Sequence, residues 1–230
     1  MQRDLETLLL EVPHSLGLNG IQVKYSDIKD IDLAKKGIYL KGHSSVTETS
    51  AKVLNEYRSL RRLYKVSSKF MAMPYALVYG GADLDENVHG YLMQLVSGKN
   101  FIEYFTGISE ALTHNLPKMA GKLYFQEAEK IKNGLIKVKN QLTEVKSDLK
   151  RANVEHGDLH YENFFINDEN EILIIDPLPL TKRKDSKKFR KEYDMDCISG
   201  HIKDIDKLIE KIDSVTRLRK LVGTSFVNST

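Results

Sequence analysis

A small set of polar side chains has the types and the spacing that suit phosphoryl transfer. Residues 156–163 read His-Gly-Asp-Leu-His-Tyr-Glu-Asn, and the apolar run 172–175 ends directly before Asp176. The Asp158 carboxylate can orient an attacking hydroxyl by accepting its proton. Asn163 and Asp176 can hold Mg²⁺ on the phosphates of ATP, because this ion prefers oxygen ligands. The pattern predicts a phosphotransferase centre that uses ATP and Mg²⁺, or Mn²⁺ in its place, with Asp158 and Asn163 as catalytic residues.

Composition and charge limit the fold and the partners of this centre. The chain has 230 residues, 41% apolar and 29% charged, which suits one compact unit or two small lobes sharing a cleft. A net charge of +3 is too small to indicate a nucleic-acid partner. Cys197 is the only cysteine, so no intrachain disulfide is expected, and the segment 1–10 resembles neither a cleavable secretory signal nor a membrane span. We therefore expect a cytosolic protein, and secretion into a host cell without such a signal stays open.

The first part of the chain is predicted to form strands with one inserted helix. Alternating or glycine-bounded apolar runs favour strands at four places: 21–25, 37–42, 75–79 and 91–96. Helical spacing predicts a helix over 49–66, whose apolar stripe contains Val53, Tyr57, Leu60 and Tyr64. Ahead of the first strand, Gly17 and Gly20 lie in a turn that could let backbone N–H groups approach a phosphate. A plain hairpin turn is the commoner explanation of these glycines.

The second part of the chain is predicted to be mainly helical. From Ala128, apolar residues recur in steps of three and four: Ile131, Leu135, Val138, Leu142, Val145 and Leu149. A coiled-coil dimer would show the same pattern, but it is short, so we favour an intramolecular core helix in a monomer. After Asp176, the remaining apolar spacing leaves room for about two helices.

The order of these parts resembles that of the protein-kinase-like superfamily. Strands with one helix come first, a long helix follows, and the segment 156–163 and Asp176 come next. The resemblance implies an α+β, bilobal fold. Residues 1–96 would form a small N-lobe with an antiparallel sheet and one helix, and residues 97–230 would form a truncated helical C-lobe.

The resemblance also implies a set of nucleotide-binding residues. Lys41 ends a strand and Glu56 lies on the following helix, as in the ion pair that grips the ATP phosphates in this family. Lys41 would thus join the catalytic residues. Met93 would sit as gatekeeper, the backbone from Gln94 to Val96 would meet adenine, and His160 stands where Ser/Thr kinases often carry a phosphate-contacting lysine.

Several departures from the family pattern change what the resemblance implies. Gly157 stands where typical protein kinases carry an arginine that pairs with a phosphorylated activation loop, so we expect activity without loop phosphorylation. Pro177 follows the metal-binding aspartate and has no backbone N–H, which argues against in-and-out switching of this motif. Asp194 or Asp196 resembles the aspartate that anchors the catalytic loop from the next helix.

The stretch from Asp176 to Asp194 is too short for a full activation segment, and little chain is left for further helices. This reduced plan is similar to that of the minimal effector kinases that bacterial pathogens inject into host cells by type III secretion. The resemblance implies a virulence-related Ser/Thr kinase with a host protein substrate. Chaperones, ubiquitin-pathway proteins and signalling proteins are the target classes within that group.

Three other functions stay open on the sequence. Aminoglycoside and choline phosphotransferases share the His-Gly-Asp motif and a residue similar to His160, but they need inserted helices for which this chain has little room. A pseudokinase would use the fold only as a binding surface. A metal-dependent hydrolase could use His156, Asp158 and His160, which alternate along the chain, as ligands of a transition metal.

A basic run lies just beyond Asp176. Residues 182–191 carry seven basic residues in ten. Such a run is usually a solvated loop, but its position beside the expected cleft makes docking of an acidic substrate surface the alternative.

Overall fold

The computed structural model describes residues 21–42, 48–80, 88–119, 121–178 and 184–227. They form a mixed α+β fold with a four-stranded sheet, a separate three-stranded sheet and long helices, so the predicted α+β class is confirmed. The turn with Gly17 and Gly20 lies outside the described residues. The bilobal, kinase-like division at residue 96 stays a prediction.

The first sheet is mixed rather than antiparallel. It contains β1 (Ile21–Lys24), β2 (Ile38–Gly42), β3 (Pro74–Tyr79) and β4 (Val88–Gln94) in the order β1-β3-β4-β2. β4 pairs antiparallel with β2 and β3, whereas β1 runs parallel to β3, so the prediction of an antiparallel sheet is wrong for β1. After β1, the one-turn helix α1 (Tyr25–Ile28) and a 3₁₀ turn carry the chain over one face of the sheet. β1 and β2 therefore lie at opposite edges and cannot form a hairpin.

Both faces of this sheet are covered. Helix α2 (Glu48–Val66), close to the predicted span, packs on one face with a cluster that includes Val53, Tyr57, Leu60, Leu77, Tyr91 and Met93. The other face carries a cluster formed with α1: Val23, Ile28, Ile38, Ala76, Val78 and Leu92. Because side chains alternate along a strand, Lys41 of β2 points to the α2 face while Ile38 points away from it.

The second sheet is a small antiparallel one, with β5 (Lys99–Asn100), β6 (Phe164–Ile166) and β7 (Ile172–Ile174) in that order. Gly98 precedes β5 with φ +117°, and a Cβ there would lie 2.3 Å from the carbonyl oxygen of Ile166, so only glycine fits. Helix α3 (Phe101–Glu110) begins with a capping box, in which the Asn100 side chain accepts from the backbone N–H of Glu103. The two-residue strand β5 was not predicted, because it is too short to show a period.

Two long helices pack side by side. α4 (Gly121–Ala152) buries the predicted stripe from Leu135 to Leu149, which confirms an intramolecular core helix. α5 (Lys184–Val227) runs antiparallel to it, since Lys132 pairs with Asp213 and Lys139 with Asp206, each at 2.6 Å. The expectation of about two helices after Asp176 is wrong, because the described residues from Lys184 to Val227 form one helix, whose buried Ile198, Ile205 and Ile212 join the core cluster of α4.

The basic run is also placed differently from the prediction of a loop. Its residues from Lys184 onward form the first turns of α5, and 182–183 lie outside the described part of the chain. In the described segments, none of the helices combines the length and the apolar character needed to cross a membrane.

Candidate active site

The hairpin of β6 and β7 brings the two predicted metal ligands together. Phe164 pairs with Ile174, so Asn163 and Ile175 face each other at the open end of the hairpin. The backbone N–H of Ile175 donates to the carbonyl oxygen of Asn163 at 3.1 Å. Asp176 follows with φ +57°, a left-handed conformation that turns the chain out of the strand direction. Asn163 and Asp176 therefore lie at the same end of the hairpin, although they are well separated in the sequence.

Asn163 also contacts the predicted catalytic aspartate. Its Nδ2 donates to the carbonyl oxygen of Asp158 at 2.8 Å and to Asp158 Oδ2 at 3.2 Å. With the amide nitrogen turned to Asp158, the amide oxygen is the atom that faces away and can ligate a cation. The Asp158 side chain is 35% exposed, so an acceptor hydroxyl can reach it from solvent.

Lys41 reaches this site from the first sheet. Its Nζ lies 2.6 Å from Asp176 Oδ1 and 3.6 Å from Glu56 Oε2. Glu56 is almost fully buried on α2, and its other oxygen lies 3.9 Å from Lys52 Nζ. The structure therefore brings Lys41, Glu56 and Asp176 together, with 135 positions of sequence between Lys41 and Asp176.

Asp194 of α5 anchors the loop that carries Asp158. Its fully buried carboxylate accepts from the backbone N–H of His156 at 2.7 Å and of Gly157 at 2.9 and 3.0 Å. Burial raises the pKa of Asp194 to about 6, although these hydrogen bonds oppose the rise. Asp196 is exposed, so of the two aspartates that sequence reasoning left open, Asp194 is the anchor.

His156 connects this loop to the segment that follows β7. Its ring Nε2 donates to the carbonyl oxygen of Ile175 at 2.9 Å, and the N–H of Leu178 donates to the carbonyl oxygen of His156 at 2.9 Å. The side chain is fully buried, and burial lowers the pKa of His156 to about 3, so the ring is neutral. A histidine held in this way is a structural clamp, which argues against its use as a hydrolase metal ligand.

The glycine of the His-Gly-Asp motif is required by space and by conformation. Gly157 has φ +86°, where a side chain would be strained. A Cβ there would lie 3.0 Å from Arg190 Cδ and 3.2 Å from Leu178 Cβ. The start of α5 and the segment after Asp176 therefore pack directly against the loop that carries Asp158.

His160, predicted to contact the nucleotide, lies beside Asp158 and Asn163. Its Nδ1 accepts from the backbone N–H of Glu162 at 3.2 Å, which caps the 3₁₀ turn Tyr161–Asn163. Its Nε2 lies 3.5 Å from Asp158 Oδ1 and 3.3 Å from Asn163 Nδ2. The partly exposed ring thus lies against both Asp158 and Asn163.

The predicted adenine-contacting segment is partly committed to protein contacts. Met93 is buried in the α2-facing cluster, and β4 ends at Gln94 rather than at Val96. The Gln94 N–H donates to the Met73 carbonyl oxygen at 2.8 Å, so it is not available to a base. Val96 lies beyond the strand and packs on the same cluster as Ile175, which comes just before Asp176.

Tyr91 is a site residue that sequence reasoning missed. It lies opposite Lys41 in the β2–β4 register, and Lys41 Nζ is 6.0 Å from the centre of its ring. Burial raises the pKa of the Tyr91 hydroxyl, and the charges of Asp176 and Glu56 raise it further. The alternation of strand side chains could have placed Tyr91 on the same face as Met93, but the register with Lys41 needed the structure.

The ligands brought together suit Mg²⁺ held jointly by protein and nucleotide. Among the described residues, no three His, Cys, Asp or Glu side chains cluster as a complete metal cage. Mg²⁺ in nucleotide sites commonly takes one or two protein oxygens together with phosphates and water, which Asn163 and Asp176 can supply.

A wide groove of about 1010 Å³ lies elsewhere, along the outer side of α4 near Phe125, Lys130 and Asn133. None of the predicted site residues lines it. The convergence of charged side chains, rather than cavity size, therefore locates the candidate active site.

Comparison of the sequence with protein-family models finds no match, and comparison with curated proteins finds no significant match. The function is therefore argued from the geometry of the site.

Proposed function

We propose that this protein is an ATP- and Mg²⁺-dependent phosphotransferase of the protein-kinase type. The observation that carries the proposal is the contact of Lys41 with both Glu56 and Asp176, next to the hydrogen-bonded pair Asp158–Asn163. Structural ion pairs are common, but a lysine shared by two carboxylates beside a third, accessible one is suited to charged phosphates.

In the proposed mechanism, Asp158 orients the acceptor hydroxyl and accepts its proton as the oxygen attacks the γ-phosphorus of ATP, while the bond to the β,γ-bridging oxygen breaks and ADP leaves. Asn163 and Asp176 would hold Mg²⁺, which when bound neutralises charge on the phosphates. Lys41 pairs with phosphate oxygens, and Glu56 keeps its ammonium in place. His156 and Asp194 keep the loop of Asp158 fixed, so that little reorganisation is needed during transfer.

We propose a protein as the acceptor, with Ser or Thr favoured over Tyr. Residues 184–227 form one helix packed along α4, which leaves Asp158 open rather than enclosed by helices that could build a small-molecule pocket. A bacterial effector kinase acting on a host protein fits this reduced architecture and the absence of an arginine at Gly157. ATP turnover without loop phosphorylation belongs to the same proposal.

The small-molecule alternative is supported by one observation, the His156-Gly157-Asp158 motif with its tightly packed glycine. The test uses labelled ATP with Mg²⁺ and three acceptor sets: proteins of a host lysate, aminoglycosides, and choline. Label on protein supports the kinase proposal, and label only on an aminoglycoside or choline supports the alternative.

The catalytic assignment is tested with Asp158→Ala. We expect transfer to fall by about 10²-fold or more, because general-base and orienting effects contribute that much. The matched control is Asp196→Ala, which removes an exposed carboxylate of α5. Near-normal turnover in Asp158→Ala would sink the mechanism. Nucleotide binding without turnover in the wild type would instead favour a pseudokinase.

The basic start of α5 is proposed to dock an acidic surface of the protein substrate. Lys187, Lys188 and Lys191 lie there, next to the Arg190 side chain that packs on Gly157. Charge reversal at Lys187 and Lys188 should raise KM for the protein acceptor and leave KM for ATP unchanged. Lys203→Glu with Lys211→Glu, at exposed positions further along α5, is the control. An unchanged acceptor KM would leave the run as a solvated helix start.

A further inference from the structure

Tyr91 carries a buried hydroxyl for which packing alone gives no reason. Its side chain is 0% exposed, and the hydroxyl has no hydrogen-bond partner among the described residues. Burying a hydroxyl in this way is unfavourable, and most buried hydroxyls are hydrogen-bonded. The ring itself packs against Tyr57, with 5.7 Å between the ring centres. Packing therefore accounts for an aromatic ring at this position, but phenylalanine would serve it as well.

The position of Lys41 indicates which charged groups lie near Tyr91. Lys41 lies opposite Tyr91 in the sheet, and its ammonium is directed to Asp176. Lys41 Nζ lies 6.0 Å from the centre of the Tyr91 ring and 2.6 Å from Asp176 Oδ1, so the Asp176 carboxylate is close to this side chain. Burial raises the pKa of the Tyr91 hydroxyl, and the charge of Asp176 raises it further. A phenol can donate a hydrogen bond and an ionised carboxylate can only accept one, so the two groups are complementary.

The Asp176 carboxylate has few hydrogen-bond donors near it. The next residue, Pro177, has no backbone N–H. The residue after that, Leu178, donates its N–H to the carbonyl oxygen of His156 at 2.9 Å. Within the described segments, the hydrogen bond that Asp176 does receive comes from Lys41 Nζ at 2.6 Å. The ammonium group that makes this contact is also the group that would pair with the nucleotide phosphates.

Lys41 must share or give up its contact with Asp176 when it pairs with phosphates. A carboxylate that ligates a metal is normally oriented by a further hydrogen bond, and loss of that bond typically weakens metal binding 10–100-fold. We propose that Tyr91 supplies this bond, with its hydroxyl donating to the Asp176 carboxylate when ATP and Mg²⁺ are bound. Tyr91 is then a positioning residue that acts on the metal through Asp176. The inference rests on the proposed function.

The test is the variant Tyr91→Phe, which removes the hydroxyl and keeps the ring. Mn²⁺ affinity is measured by electron paramagnetic resonance with a saturating non-hydrolysable ATP analogue, and analogue affinity is measured separately in EDTA. We expect the Kd for Mn²⁺ to rise about tenfold and the metal-free analogue affinity to stay unchanged. The Tm without ligands should not fall, because the hydroxyl has no hydrogen-bond partner among the described residues.

Tyr57→Phe is the matched control, since it also removes a buried hydroxyl close to the site. Tyr57 accepts from Arg61 at 3.2 Å and donates to the Tyr75 carbonyl oxygen at 3.4 Å, so this variant should lower Tm and leave Mn²⁺ affinity unchanged. An unchanged Mn²⁺ affinity in Tyr91→Phe would overturn the inference while leaving the proposed function intact. A wild type that binds neither analogue nor Mn²⁺ would overturn both.

Discussion

The loop that carries Asp158 and the cluster formed by Lys41, Glu56, Tyr91 and Asp176 both contain buried polar groups, but the carboxylates of Asp194 and Glu56 differ in how completely they are hydrogen-bonded. Asp194 accepts backbone N–H groups from His156 and Gly157, all within 3.0 Å. In the cluster, Glu56 Oε2 is buried with a 3.6 Å ion pair to Lys41 and no hydrogen bond among the described residues. The Tyr91 hydroxyl is also buried and has no hydrogen-bond partner among the described residues.

This difference suggests separate roles for the two regions. A buried polar group with all its partners stabilises one arrangement, whereas incompletely paired groups lower stability and stay available to a ligand. The Asp194 contacts therefore form a scaffold for the loop, although Glu155 Oε2 and the Nδ1 atoms of His156 and His201 on that side also lack a hydrogen-bond partner among the described residues. The cluster around Lys41 is the part that we propose nucleotide binding completes. Two predictions follow from the contrast, the first with the larger effect.

The same substitution in both regions should separate their contributions to stability. Asp194→Ala leaves the N–H groups of His156 and Gly157 without an acceptor, and we expect it to lower the free energy of unfolding by about 3 kcal/mol. Asp176→Ala removes a partly exposed carboxylate with one ion pair, so its cost should stay below about 1 kcal/mol. Urea unfolding of both variants measures the difference. Equal losses of unfolding free energy in the two alanine variants would contradict the proposed difference between the regions. Recovery of stability in Asp194→Asn would show that a hydrogen-bond acceptor, and not the charge, is required.

The scaffold should also make stability depend on pH. Burial lowers the pKa of His156 to about 3 and that of His201 to about 4, so below about pH 6.5 the unfolded chain binds protons that the native state does not. Their contribution is complete above pH 6.5 and is lost as the pH falls. Asp194, with its pKa raised to about 6, acts in the opposite direction: its contribution is present below about pH 4 and is lost as pH rises through 6.

The sum predicts how steeply stability falls in acid. Each group changes the free energy of unfolding by about 1.4 kcal/mol per pH unit in its window, so two histidines against one aspartate give a net fall of about 1.4 kcal/mol per pH unit between pH 6 and pH 4. Asp194→Asn should make the fall steeper, since it removes the opposing group. His201→Phe should flatten it, because the variant removes one of the two histidines that cause the fall. Phenylalanine suits this position, since His201 packs among the rings of Phe101, Tyr161 and Phe164. Urea unfolding at several pH values measures these slopes, and identical slopes in all three proteins would contradict the assignment.

Much of the secondary structure could be predicted because its signals are local. The period of apolar residues located α2 and the core stripe of α4, and alternating runs located β1 to β4. The direction of β1 and the two-residue strand β5 could not be predicted, since both depend on distant partners. The continuity of α5 was missed because it depends on packing along α4.

The candidate site could be predicted only in part. Asp158 and Asn163 lie within one short segment, so their spacing alone placed them together. Lys41 and Glu56 were found through the order of parts in a similar family, and the structure places them within ion-pair distance. Tyr91 was missed, because no local pattern marks which strand position faces a lysine on another strand.

The sequence by itself determined the residue types that can do chemistry, the α+β class and the periodic faces of the long helices. These follow from side-chain chemistry and from interactions between near neighbours in the chain. Only the folded structure shows that Asp194 rather than Asp196 holds the loop, that His156 is fully buried, and that Tyr91 lies opposite Lys41. Burial and hydrogen bonding depend on which distant segments meet, and that information is present only in the folded chain.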